Sequence, residues 1–248
     1  MSQASLRLRS EPSTAPSFID LRAFAALHSG AIARDGGGGD AYLAARRYLE
    51  LPDGPVAIGC LALDRSEGRV EQTPGDEFII LLAGELTLET GGARLSLTPG
   101  RSAVIPGGRS LGWRAAAGTS ALFMRCGGPA GDAAAQILDE AGPLAPSSPP
   151  LAELLFGETP QCRNRTDFRS ADGQFTCGVW DSTPYQRLPM LYRHYELMHI
   201  LKGAVDFEAD GKRATASAGD IFLVERGAEC SWFSEVDVAK VFAIHRPA

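Results

Sequence analysis

The sequence predicts an all-β chain made of two copies of one antiparallel sandwich or barrel, with a few short helices. Three observations point there. One register of similarity, offset by 119 residues, runs through most of the chain. Each copy is written in apolar runs of four to eight residues broken by Gly-containing turns, which is how short antiparallel strands read. Patterns of helical period are confined to "FIDLRAFAALHSG" (18–30) and to the segment between the copies.

The repeat is visible when "PGDEFIILLAG" (74–84) is laid over "RHYELMHILKG" (193–203): Glu77 falls on Glu196, Leu82 on Leu201 and Gly84 on Gly203. Without a gap, Gly92 then meets Gly211, Gly100 meets Gly219, Gly108 meets Gly227, Trp113 meets Trp232 and Phe123 meets Phe242, while upstream Gly59 meets Gly178. Chance does not hold one register that long. The organisation that follows is a flexible tail over 1–19, a first barrel over 20–127, a linker over 128–159 and a second barrel over 160–248. The linker is rich in Pro, Ser and Gly, with a short helix expected at "DAAAQILDEA" (132–141). "TGG" (90–92) and "ADG" (209–211) mark hairpins, and "DGGGGD" (35–40) reads as a flexible loop.

Composition narrows the partners. The formal charge of −6 comes without a basic stripe, which argues against nucleic acid. The longest strongly apolar run, "FIILLAG" (78–84), is far too short to span a bilayer, and no signal-peptide core opens the chain. A cytoplasmic protein acting on a small molecule is expected. Five cysteines, odd in number and without CxxC spacing, fit reduced thiols better than a disulfide framework.

The motifs resemble those of the cupin superfamily, whose domains are jelly-roll barrels. "EFIILLAG" and "ELMHILKG" match the later half of its first motif, and "GRSAVIPGG" and "GDIFLVERG" match its second. With "GVW" (178–180) and "CSW" (230–232) the chain looks most like the branch of ureidoglycine aminohydrolase-like and ethanolamine-utilisation cupins. The resemblance implies a bicupin, and it also exposes departures. The two histidine slots hold Glu71 and Thr73 in the first copy and Met190 and Tyr192 in the second; the later histidine slot holds Leu111 and Cys230. Only Glu77 and Glu196 remain of the family's metal ligands.

Side chains alternate along a strand, so a strand continuous from Pro189 would point Met190, Tyr192, His194 and Glu196 into the second barrel, with Cys230 and Trp232 sharing a face of a later strand. The matching first-barrel positions are Thr73, Gly75, Glu77, Leu111 and Trp113. Three readings of the richer set stand side by side. His194, Glu196 and Cys230 could bind a divalent ion such as Zn, Mn or Fe with a position left open. Alternatively, Met190, Tyr192, His194, Glu196, Cys230 and Trp232 could line a metal-free ligand pocket. They could also be satisfied core residues. If the protein is an enzyme of aminohydrolase, isomerase or hydrolase type, Glu196 and His194 are the acid/base pair and Tyr192 orients; a Cys230 nucleophile is a minor variant. The different-class alternative is a sensor or accessory protein of catabolism.

His199 has the opposite parity to Glu196 and should face away from the pocket, the sequence pattern identifies no partner for His245, and Glu77 could pair with an arginine such as Arg109 or Arg69, which the sequence does not place beside it. "VIPGGRS" lacks the Walker lysine and reads as a turn. The first barrel is expected to be structural, and burial of strand edges and an outer apolar face points to a homodimer.

Overall fold

The computed structural model of the chain describes residues 17–28, 39–209 and 211–248. Most of the expected tail, most of "DGGGGD" and Asp210 of "ADG" lie outside the described residues. The chain divides into two compact units: Ala23–Leu138 with Phe168–Phe175, and Asp139–Asp167 with Thr176–Ala248 and the N-terminal residues through Arg22.

In chain order the elements begin with β1 (Phe18–Asp20), α1 (Leu21–His28), α2 (Ala41–Ala44) and β2 (Arg46–Tyr48). The first barrel continues through β3 (Val56–Leu63), β4 (Ser66–Val70), β5 (Asp76–Ala83), β6 (Leu86–Thr90), β7 (Ala93–Leu97), β8 (Ser102–Ile105), β9 (Leu111–Ala115) and β10 (Thr119–Cys126). Between the repeats run β11 (Gln136–Ile137), β12 (Ala145–Ser147) and β13 (Leu155–Phe156). The second barrel follows as β14 (Cys162–Arg169), β15 (Phe175–Ser182), β16 (Tyr185–Leu191), β17 (Tyr195–Lys202), β18 (Ala204–Ala209), β19 (Lys212–Ser217), β20 (Ile221–Val224), β21 (Glu229–Ser234) and β22 (Val238–His245).

Each barrel joins a large sheet to a small one. The orders are β11-β8-β5-β10-β3-β2 and β4-β9-β6-β7 in the N-terminal unit, against β1-β20-β17-β22-β15-β14-β12 and β13-β16-β21-β18-β19 in the C-terminal unit. The repeat survives to the level of individual pairs. Glu77 lies opposite Ile105 and Arg125, as Glu196 lies opposite Val224 and Ile244. Even the bulge recurs: the β5/β10 register slips between Ser120 and Ala121, and the β17/β22 register slips at the corresponding Ala239 and Lys240.

Sequence pattern explains which sheet each strand joins. β5 and β17 are buried at six successive positions, as strands covered on both faces are, whereas β6 alternates Leu86, Leu88 and Thr90 inward with its other side chains less buried. The apolar interiors gather Ile79, Leu81, Leu88, Leu111 and Phe123 in one barrel and Met198, Ile200, Phe207, Phe222 and Trp232 in the other. Gly59 and Gly178 are required by close approach, because a Cβ on either would strike the backbone carbonyl of Arg47 or Arg165 on the neighbouring strand. "TGG" does make a hairpin: Thr90 pairs with Ala93, and Gly91 and Gly92 turn the chain at φ 57° and 81°, angles that non-glycine residues rarely adopt.

Two expectations are corrected. The tail does not run loose to residue 19, because β1 adds antiparallel to β20 and Ser17 exchanges bonds with Glu225, donating to its Oε2 at 2.9 Å. The linker helix does not form either. An isolated helix of ten residues is marginal, and this segment instead pairs Gln136 and Ile137 with β8 and buries Ala135 and Leu138. Both pieces cover what would otherwise be an open sheet edge. The expected α1 is present, "VIPGGRS" is a turn between β8 and β9, and all five cysteines are buried thiols. No helix among the described residues is long and apolar enough to cross a membrane.

Candidate functional site in the C-terminal barrel

The strand expected to be continuous from Pro189 is interrupted. β16 ends at Leu191 and β17 begins at Tyr195; between them Tyr192 donates its N–H to the Ala228 carbonyl at 2.8 Å and accepts from Gly227 at 2.7 Å. Simple alternation therefore fails across residues 192–194. Tyr192, His194 and Glu196 nevertheless all end buried, at 3%, 9% and 6% exposure, because the turn returns the chain to the same interior. Met190 is only partly buried.

Glu196 is the hub. Its Oε1 accepts from the Lys240 ammonium at 2.8 Å and its Oε2 lies 3.2 Å from His194 Nε2. Burial by itself would raise the carboxyl pKa, but the Lys240 charge and the bonds from His194 and Lys240 outweigh it, and the group titrates at about 2. The Lys240 Nζ also lies 3.2 Å from Met198 Sδ, and 4.8 Å and 5.2 Å from the ring centroids of Trp180 and Trp232, within cation–π range. Tyr185 stacks on Trp232 with centroids 5.6 Å apart, and Trp180 meets it edge-on at 5.8 Å.

A second cation sits deeper. Arg187, 3% exposed, donates to the Cys230 carbonyl at 2.7 Å, the Leu188 carbonyl at 3.1 Å and the Tyr192 hydroxyl at 3.1 Å. It lies opposite Trp232 in the β16/β21 ladder. The Tyr192 hydroxyl is pushed far above its ordinary pKa by burial.

Lys240, Arg187, Trp180 and Tyr185 were not among the expected site residues. The signal was in the sequence. Lys240 interrupts "VDVAKVFAIH" where the first copy has Ala121, and Arg187, Trp180 and Tyr185 stand where it has Gly68, Leu61 and Ser66. A long cation or a large aromatic at an inward position of one copy alone is a residue that packing does not require.

The metal reading does not fit. Among the described residues no three His, Cys, Asp or Glu side chains converge as a ligand set, so His194, Glu196 and Cys230 are not brought together as ligands. Both Glu196 oxygens are engaged by Lys240 and His194. Burial pushes the Cys230 thiol up to about 11, opposite to the lowered value of an activated thiol. The same shift removes Cys230 as an activated nucleophile.

The first barrel closes over its glutamate. Arg46 grips Glu77 with two bonds, Nη1 to Oε2 at 2.6 Å and Nη2 to Oε1 at 2.9 Å, and the Tyr42 hydroxyl adds a third at 2.8 Å. Asp40 caps α2 and accepts from both Tyr42 N–H and Trp113 Nε1 at 2.8 Å, which sets Tyr42 in place. The expected partners are elsewhere: Arg109 donates to the Gly131 carbonyl, and Arg69 sits on the surface beside Glu71. His199 faces away from the C-terminal interior as its parity predicts, and burial with the nearby Arg22 pushes its imidazole down to about 4.

Comparison with known proteins agrees with this architecture. The family description "EutQ-like cupin domain" matches residues 169–242. A structure from Pseudomonas syringae pv. tomato, described as a protein of unknown function in the DUF861 family, is 30% identical over 92% of this chain and 99% of that one, with a TM-score of 0.80. At the level of fold alone, the salicylate 1,2-dioxygenase of Pseudaminobacter salicylatoxidans matches at TM-score 0.59 and 11% identity, covering 95% and 86% of the two chains. A glyoxylate-induced protein of Pseudomonas aeruginosa, so described provisionally, matches at 0.54 and 15%, covering 97% and 96%. No curated protein matches the sequence. A relative 30% identical over 92% of this chain shows that the chain belongs to the DUF861 family, and its residues 169–242 match the EutQ-like cupin domain.

Proposed function

We propose that the C-terminal barrel is a metal-free receptor for a small polar or nitrogen-containing metabolite, and that the protein acts as a sensor or accessory protein in catabolism. One observation carries this reading. Between two barrels of the same topology, one interior alone has gathered His194, Lys240, Arg187, Tyr192 and Trp180 where the other has Gly75, Ala121, Gly68, Thr73 and Leu61. Buried charges weaken a core unless something else uses them, and aromatic walls around a few fixed polar groups are how small-ligand sites are composed. In this reading Trp180, Trp232 and Tyr185 are the walls. Lys240 and His194 present donors, and Glu196 holds both in place.

A second reading rests on the His194–Glu196 contact of 3.2 Å. An imidazole backed by a carboxylate can move one proton of a bound ligand, which would make the protein an isomerase or hydrolase. Glu196, ionised down to about pH 2, positions the imidazole and is not the proton carrier.

The two readings separate in one experiment. A panel of small hydroxy acids, amino acids, amides and ureido compounds is screened by thermal unfolding, and each stabilising compound is followed by NMR for turnover by wild type and His194→Gln. Stabilisation without turnover supports the receptor. Turnover lost in His194→Gln supports the enzyme. Indifference to the whole panel contradicts both.

A further inference from the structure

The charge balance of the cage is uneven. Two cations, Lys240 and Arg187, are 7% and 3% exposed. Glu196 answers only one of them, through Lys240 at 2.8 Å. The groups that Arg187 bonds are neutral: the Leu188 and Cys230 carbonyls, the Tyr192 and Tyr185 hydroxyls and the Cys230 thiol. No ion pair joins Arg187 to a carboxylate among the described residues. Its partner across the ladder, Trp232, is 1% exposed and carries an indole Nε1–H that has no acceptor among the described residues. A buried guanidinium without a counter-charge and a buried donor without an acceptor are both costly in a low-dielectric interior, and a single anionic ligand would relieve both.

We propose that the occupant of this site is a small carboxylate whose negative charge completes the set formed by Lys240, Arg187 and Glu196, with the Trp232 indole N–H as an additional donor. This rests on the reading of the C-terminal barrel as a ligand site and names the chemical class it selects. The geometry also explains why the walls are aromatic. Trp180 and Trp232 hold the Lys240 ammonium through their faces without adding a negative group that would cancel the excess. The carboxylate of Glu196 is then a competitor for Lys240, so the ligand's affinity is set below what two unopposed cations would give.

The test uses pairs of probes that differ in charge and hardly in shape: glycolate against glycolamide, succinamate against succinamide, and benzoate against benzamide. Affinities are measured by calorimetric titration on the full chain. The account predicts that each carboxylate that binds does so at least about tenfold more tightly than its amide. Arg187→Met should erase most of that preference. Glu196→Gln should increase carboxylate affinity, because it frees Lys240. That gain is the decisive sign, since a variant that merely loosened the barrel would lose affinity. Should Arg187→Met fail to fold, Glu196→Gln and Lys240→Met carry the test alone, with gain and loss expected respectively. Amides that bind as well as their acids would overturn the carboxylate assignment and leave the ligand site standing. Silence from all six probes, in wild type and in Glu196→Gln alike, would overturn the carboxylate assignment, and the wider panel of hydroxy acids, amino acids, amides and ureido compounds would then decide the site reading beneath it.

Discussion

The two barrels keep the same glutamate at the same register and treat it differently. Glu77 is held by Arg46 from β2, a planar fork that occupies both carboxylate oxygens, with Tyr42 filling a further lone pair. Glu196 is held by Lys240 from β22, a point charge with protons to spare, and by an imidazole. The counterpart of Arg46 in the second copy is Arg165, which turns to Asp167 at 2.6 Å near the surface, and the counterpart of Lys240 in the first copy is Ala121. After duplication, the neutralising cation sits on a different strand in each barrel. A fork–fork pair saturates its acceptor and makes a closed structural element; an ammonium shared between a carboxylate, a thioether and two indole faces retains donor capacity. That contrast separates a barrel sealed around its charge from one whose charges remain available.

The comparison can be broken from either side. The largest effect should come from Arg46→Met, which leaves Glu77 buried, ionised and gripped only by Tyr42. Loss of one partner of a buried pair costs about 3–5 kcal/mol, read as the shift in the urea unfolding midpoint of the transition that includes the N-terminal barrel. Lys240→Met should cost less, about 2–3 kcal/mol, because His194 still bonds Glu196. The double variant Lys240→Met/Glu196→Gln should recover most of that loss in a double-mutant cycle; additive losses would mean that the pair is not coupled.

A third check uses pH. His199 titrates at about 4 in the folded chain and near 6.5 when unfolded. Between those values the unfolded chain binds the extra proton, so stability is full above about pH 6.5 and falls as the pH drops toward 4. The contribution is about 3 kcal/mol. His199→Leu should flatten stability across that window. Glu196 acts in a lower one: its folded pKa of about 2 lies below the unfolded value near 4.3, so its contribution is intact above about pH 4.3 and is lost as pH falls toward 2.

The smallest effect is assigned to Arg165→Ala. Although Arg165 is the repeat partner of Arg46, its side chain is 23% exposed and its carboxylate partner lies near the surface, so a loss of about 0.5–1 kcal/mol is expected. A loss as large as that of Arg46→Met would contradict the contrast between the barrels.

Much of the fold was legible because a repeat of fixed offset is a long-range signal. One register aligned two sets of strands and turn glycines, and strand alternation then assigned opposite faces to Glu196 and His199, as the structure has them. The misses have local causes. Alternation was carried across Tyr192–His194, where the backbone leaves the sheet, so Tyr192, His194 and Glu196, all buried, were grouped for an incomplete reason. Ala135 and Leu138 have a spacing that suits a helix, yet the open edge of β8 offered their segment backbone partners. Arg46 was overlooked as the partner of Glu77 because strand β2 enters the sheet from outside the motif region. Lys240 was legible in principle, as a charge inside an apolar strand that its repeat partner lacks.

Tryptophan emission tests the central claim most directly, since the chain has three tryptophans and two of them, Trp180 and Trp232, flank Lys240. In Trp113→Phe only the C-terminal cage reports. The account predicts that titration of this variant with succinamate or glycolate gives a saturable change in emission, and that the change disappears when Lys240→Met is added. If the Trp113→Phe protein stays silent while a Trp180→Phe/Trp232→Phe protein, reporting through Trp113 alone, responds to the same ligands, binding belongs to the first barrel and the account is wrong.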